Sequence, residues 1–249
     1  MSMLRSFVLA LVLSAVSAQA WSQDKVIRLT SLDWPPYSGE KLDQQGASVA
    51  VARAAAEAMG YTLEVRFLPW ARAVAVASDA SSGVVGYFPE YHSEDVAARF
   101  LLSDPIGSGP LGFAERRSAP VAWSSLADLK AVAIGTVRDY VNTAEFDGMA
   151  AAGELKVEPV NDDATNLRKV AGGRLPLAVI DRNVMGYLLA NDPGLKAQAS
   201  ALQFNARLLE DKQLYIAFQR TPAGQEAARV VNEGLKKIDP AAIAAPFFD

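Results

Sequence analysis

Apolar and polar residues alternate from Lys25 to Thr30 and again from Tyr61 to Phe67, the period of a strand with one buried face. Between these runs, Gly46 to Gly60 is rich in alanine, offers Ser48 as a cap and ends on glycine, a helix pattern. Strand, turn, helix and strand in that order predict a parallel βαβ unit. Pro69 opens a second predicted helix, since proline is tolerated in a first turn. Val84 to Phe88 reads as a short apolar strand, and a glycine-rich passage after Pro105 leads into another that ends near Phe113.

From Ala114 to Pro120 the apolar periodicity stops, so a crossing between two domains is expected there. The alternation then restarts. Ser125 caps a short helix through Leu129, Ala131 to Gly135 is a strand, and Arg138 to Met149 a helix. A strand over Leu155 to Pro159, a helix over Asp163 to Gly172 capped by Asp163 or Thr165, and a buried strand over Leu177 to Ile180 follow, ending at Asp181. Asn183 to Ala190 is helical, Gln213 to Phe218 is one more strand, and Pro222 to Ile238 is a long helix with Lys236 and Lys237 at its negative end.

The first twenty residues change the picture of where this chain works. Arg5, an apolar run from Phe7 to Val16 and Ala18-Gln19-Ala20 form the three parts of a secretory signal, too short to cross a membrane as a helix. Cleavage after Ala20 is expected to release an exported chain beginning at Trp21. Loss of Arg5 makes it one charge more acidic than the formal net charge of −4. A mildly acidic chain without a basic stripe argues against nucleic acid as a partner. There is no cysteine, which excludes disulfides, thiol chemistry and lipid attachment at a cysteine.

Two loops concentrate the candidate chemistry. Asp33-Trp34-Pro35-Pro36-Tyr37-Ser38 is stiffened by its prolines and presents Trp34 and Tyr37 either as a binding wall or as rings tucked into the core. Pro89-Glu90-Tyr91-His92 follows another strand, and both loops fall at the carboxyl ends of strands, where open α/β sheets place ligands. Catalytic signatures are few: one histidine, no paired-histidine spacing, no Gly-x-Ser-x-Gly elbow, and a glycine-rich Gly107-Ser108-Gly109-Pro110 without the lysine of a phosphate loop. No metal or cofactor is expected. Glu94 and Asp95 read as solvated surface.

Trp34-Pro35-Pro36-Tyr37, Pro69-Trp70-Ala71-Arg72-Ala73, Leu102-Ser103-Asp104-Pro105, Gly135-Thr136-Val137-Arg138 and Val179-Ile180-Asp181 stand in an order that resembles periplasmic solute-binding proteins. The similarity is to the type II, amino-acid-type branch that serves ABC importers. It implies an α/β fold of two lobes, each a mostly parallel sheet flanked by helices, joined by two hinge crossings. Lobe one would hold residues 21–114 and 213–249, lobe two residues 115–212, with hinges at Glu115 to Ser118 and Glu210 to Lys212. A small-molecule ligand is expected between them, with an ABC transporter permease or a membrane receptor as partner, the chain itself a periplasmic monomer.

The resemblance also assigns residues. Trp34 takes the place of a stacking aromatic and Asp181 that of a carboxylate receiving an ammonium group. Arg138, Tyr140 and Asn142 occupy the region that holds a ligand's anionic end. One departure is informative: the position where amino-acid binders place a carboxylate-clamping arginine is Val96. Tyr87, Glu90 and Tyr91, beside Trp34, Tyr37, Trp70 and Arg72, form an aromatic and acidic set in its place. That set suits an amine-bearing or aromatic solute. The alternatives are a dehydratase-like enzyme on the same fold, using Glu90, Asp181 or His92 as acid or base, and a ligand-sensing module for a membrane receptor.

Overall fold

The computed structural model describes residues 25–248. The expected signal segment lies outside the described residues. In chain order the strands are β1 (Val26–Ser31), β2 (Thr62–Phe67), β3 (Gly86–Tyr91), β4 (Phe100–Leu102), β5 (Gly107–Arg116), β6 (Ala133–Val137), β7 (Lys156–Val160), β8 (Leu177–Asp181), β9 (Leu202–Phe204) and β10 (Glu210–Gln219). The helices are α1 (Ala47–Glu57), α2 (Trp70–Ser78), α3 (Glu94–Arg99), α4 (Ala144–Ala151), α5 (Asp163–Ala171), α6 (Arg182–Asn191), α7 (Pro193–Lys196), α8 (Pro222–Leu235) and α9 (Pro240–Ala244).

All ten strands belong to one curled sheet whose main path is β2-β1-β3-β10-β5-β8-β6-β7. At one end β1 lies between β2 and β3, all parallel; at the other β6 lies between β7 and β8, again parallel. The two long strands in the middle, β5 and β10, run antiparallel to each other and to their outer neighbours. The expectation of mostly parallel sheets therefore holds for the outer thirds only. β5 changes partners at Leu111, which faces Glu210 of β10 on one side and Asp181 of β8 on the other.

Pattern and structure part at several places. The polar stretch from Ala114 is not a break, because β5 continues through it to Arg116. Glu115 is buried there, its carboxylate accepting from the Val121 amide and the side chains of Gln203 and Asn205. Three donors offset the cost of burying this carboxylate within a strand. The helix expected from Arg138 begins only at Ala144, since Thr143 caps it and Asp139 adopts a left-handed conformation at φ 63°. Asp162, not Asp163 or Thr165, caps α5 by accepting from the Thr165 amide. On α1 the cap position is Gly46 and not Ser48.

The core is continuous under both ends of the sheet, with Leu29, Phe88, Phe113, Ile134, Leu167 and Phe218 fully buried. The alanine-rich face of α1 lies directly on α8. Gly234 makes that approach close, for a Cβ there would overlap the Ala55 carbonyl oxygen. No helix among the described residues is long and apolar enough to cross a membrane.

Candidate functional site

The parallel strands of both outer thirds point their carboxyl ends at a common cleft. β1 delivers the Trp34 turn, β2 the start of α2 with Trp70, and β3 Glu90 and Tyr91; from the other side β6 delivers Tyr140, β7 Asp163, and β8 Asp181. The Trp34 turn is a built object. Trp34 and Ser38 bridge each other through the backbone, and the Pro36 and Tyr37 carbonyls accept from Ala47 and Ser48 at the start of α1. Its rings are thus fixed by the helix that follows.

Trp34 stacks on Tyr37 at 4.6 Å between centroids and meets Tyr91 and Tyr140 edge-on at 6.0 and 6.5 Å. Trp70 meets Tyr87 at 5.4 Å and Tyr140 at 5.8 Å, also edge-on. Four hydrogen bonds among the described residues cross the cleft. Trp34 Nε1 donates to Asp163 Oδ2 at 3.2 Å, Trp70 Nε1 to the Asp139 carbonyl at 3.0 Å, and the Tyr37 hydroxyl to Asp181 Oδ2 at 3.1 Å. Asn183 Nδ2 adds a donor to the Tyr37 oxygen at 2.8 Å. Gly109 of β5 makes the Tyr37–Asp181 meeting feasible, because a Cβ at that position would overlap both polar groups.

Between Trp34, Trp70, Glu90, Tyr91 and Tyr140 lies a cavity of about 30 Å³, closed further by Leu32, Pro89, Val141 and Leu214. That space suits about two water molecules or a group of similar size. Glu90 is its one carboxylate. Glu90 Oε1 accepts from the Tyr91 amide at 2.7 Å and Oε2 from the Tyr87 hydroxyl at 3.0 Å.

Three acids in this region lose their ordinary acidity. Burial pushes Glu90 up to about 7 against the opposing effect of its two donors and of the Arg99 and Lys212 charges. Burial likewise pushes Asp163 to about 7, opposed by the Trp34 indole, and Asp181 to about 7, opposed by the Val184 and Asn183 amides. Tyr91 and Tyr140 are raised for the same reason, burial first and neighbouring acids second.

Of the residues singled out in the sequence, the structure gathers Trp34, Trp70, Glu90, Tyr91 and Tyr140 around the cavity, with Tyr37 behind Trp34 and Tyr87 beneath Glu90. Arg72 and Arg138 are exposed and outside the cavity lining, Arg138 contributing a backbone N–H to Val160. Asn142 is turned to α4, where it donates to Asp147. Asp181 is committed to capping α6 and to Tyr37. Val96 is buried in α3, and no arginine is among the residues lining the cavity. Asp163, expected from the sequence only as a cap, is free to reach Trp34 because its neighbour Asp162 does the capping that either could do. A doubled aspartate ahead of a helix, one more than the cap requires, was the available signal. No group of three or more His, Cys, Asp or Glu residues among those described is placed to hold a metal.

No family model and no curated protein matches this sequence. Solved structures do match. One is a histidine kinase sensor domain with similarity to periplasmic binding proteins, at TM-score 0.75 and 24% identity over 90% of this chain and 96% of that one. A second is an ancestral arginine-binding protein bound to arginine, at TM-score 0.73 and 16% identity over 90% and 99%. A third is an amino acid ABC transporter substrate-binding protein of Streptococcus pneumoniae bound to L-arginine, at 0.70 and 14% over 91% and 93%. These neighbours are binding and sensing proteins. The chain has the two-ended α/β fold of type II periplasmic binding proteins.

Proposed function

We propose that this chain is an exported, periplasmic solute-binding protein that captures a small polar solute between two lobes and presents the closed form to a membrane partner. The observation that supports it best is the cleft itself: aromatic rings and acids from two parallel β-α arrays meet across β5 and β10, with side chains of one array hydrogen-bonded to the other. Lobe one comprises the β1–β4 array with β10, α8 and α9, and lobe two the β6–β8 array with β9. The hinge lies where β5 changes partners, at Leu111 and Glu210. Closure of this kind is driven by a ligand's higher affinity for the closed state.

The partner is an ABC importer permease. A sensory receptor is the second reading, favoured by the sensor domain among the structural neighbours. The chemistry is binding without turnover. A thermal-shift screen of the purified protein against amino acids, polyamines, quaternary amines, aromatic acids and small sugars tests this, with mass spectrometry of each hit mixture. A ligand at 100 times its Kd stabilises by about 2.7 kcal/mol. A hit recovered unchanged supports binding, whereas a converted hit moves Glu90 into a catalytic role.

A further inference from the structure

The polar groups around the cavity are unevenly spent. Both indole N–H groups are used across the cleft, Trp34 on Asp163 and Trp70 on the Asp139 carbonyl, and the Tyr87 hydroxyl donates to Glu90. What remains unspent in the residues around the cavity is acceptor capacity and π surface. Each Glu90 oxygen accepts one hydrogen bond and keeps capacity for another. The Tyr91 hydroxyl, in a residue more than nine-tenths buried, finds no partner among the described residues. The walls are rings of Trp34, Trp70 and Tyr140, whose quadrupoles attract positive charge.

We propose that this cavity takes the compact ammonium group of a small aliphatic amine, with Glu90 as its counter-charge and the aromatic rings as its cage, and that a carboxylate on the solute counts against binding. The proposal rests on the inter-lobe binding reading and specifies the solute class for that site. An α-carboxylate would need a donor pair, and no arginine is among the residues lining the cavity. The nearest buried cation, Lys212, is already engaged: its ammonium sits 5.3 Å from the Tyr91 ring centroid and 3.4 Å from Glu210 Oε1. A volume of about 30 Å³ is sufficient for a primary ammonium head.

Burial of Glu90 supports the same conclusion, because a buried carboxylate held near neutrality is poised to ionise when a cation arrives. The groups facing it are Tyr87 and Tyr91 on its own strand, Arg99 of α3, Lys212 of β10 and Tyr140 from the opposite side. Only Arg99 and Lys212 among these carry positive charge, and Arg99 is exposed.

The test is calorimetric titration at pH 8 with four probes of one chain length: butylammonium, γ-aminobutyrate, butyrate and 1-butanol. Butylammonium is expected to bind at least about tenfold more tightly than the other three. Glu90→Gln should remove about tenfold or more of that affinity, and Tyr91→Phe, which keeps the ring, several-fold. Melting temperature checks that both variants fold; should Glu90→Gln fail, Tyr91→Phe carries the comparison.

Equal or tighter binding of γ-aminobutyrate or butyrate, weakened by Trp70→Ala, overturns the amine proposal and leaves the inter-lobe site standing. Equal binding of 1-butanol overturns the need for charge. Butylammonium binding that neither Glu90→Gln nor Trp70→Ala alters places the solute elsewhere and removes both readings. No binding by any of the four overturns the proposed solute class.

Discussion

Trp34 Nε1 lies 3.2 Å from Asp163 Oδ2, joining two residues 129 positions apart from opposite sides of the cleft. The bond has unequal consequences for its partners. Removing the indole leaves a buried carboxylate with its one side-chain donor gone, whereas replacing the carboxylate by an amide keeps an acceptor in place. Trp34→Phe should therefore weaken the closed form by about 1 to 3 kcal/mol, and Asp163→Asn by much less. Small-angle scattering checks this: the Trp34→Phe protein should show the larger radius of gyration, and equal radii for both variants would detach the bond from closure.

Stability should fall as pH rises from 4 to 7. Asp163 and Asp181 have an ordinary value of 3.8 and are raised to about 7 in the folded chain. Between those values the native state holds protons that the unfolded chain has released, so unfolding becomes easier as pH increases. The contribution is fully present below about 4 and lost above about 7. Melting temperature should be higher at pH 5 than at pH 7.5, and Asp163→Asn should flatten part of that slope. An unchanged slope in this variant would assign the effect to other groups.

Ligand affinity should have the opposite dependence. Glu90 sits at about 7 before a cation binds, and the cation must displace its proton at lower pH. Affinity for an amine should fall by about tenfold per pH unit below 7 and level off above it. Titration in buffers of different ionisation enthalpy would reveal the released proton; a flat profile from pH 5 to 8 would remove Glu90 as the counter-charge.

Asp181 and Glu90 should separate cleanly by their variants. Asp181 Oδ1 caps α6 by accepting from the Asn183 and Val184 amides, so Asp181→Ala should lose about 0.5 to 2 kcal/mol in urea unfolding. Glu90→Gln should leave urea unfolding nearly unchanged and alter affinity. A reversed result, affinity lost at Asp181 with full stability, would return the ammonium group to Asp181.

Gly109→Ala should be costly for a residue in an otherwise ordinary strand. Its Cβ would overlap Asp181 Oδ2 and the Tyr37 hydroxyl, so those groups must separate or β5 must shift. A loss of about 1 to 3 kcal/mol is expected in denaturant unfolding, since overpacked sites pay that much in strain. A neutral outcome would show that the Tyr37–Asp181 contact is dispensable.

The sequence disclosed the fold well because its signals are local. Alternation marked β1 and β2, and the alanine run with terminal glycine marked α1. Where the outcome turned on tertiary partners, the pattern misled. Glu115 looked like a loop residue because its three donors, Val121, Gln203 and Asn205, are distant or featureless in sequence. Of the residues that line the cavity, Trp34, Glu90 and Tyr91 stood out in the sequence in loops after strands, and Trp70 at the start of a helix. Arg72 and Arg138, expected from their motifs, are exposed and outside that lining, a placement that a one-dimensional pattern does not specify. Asp163 was hidden by the equivalence of two adjacent aspartates until the capping bond chose Asp162.

The position of β10 separates the order of synthesis from the order of assembly. It fills the slot between β3 and β5, so β3 has an unsatisfied edge until residues 210–219 are made. α8, which covers α1, follows later still. A nascent chain of this design cannot complete its first-made layer until nearly the whole polypeptide exists. Such long-range closure slows folding, and until it happens the open edge of β3 is a template on which another chain could pair.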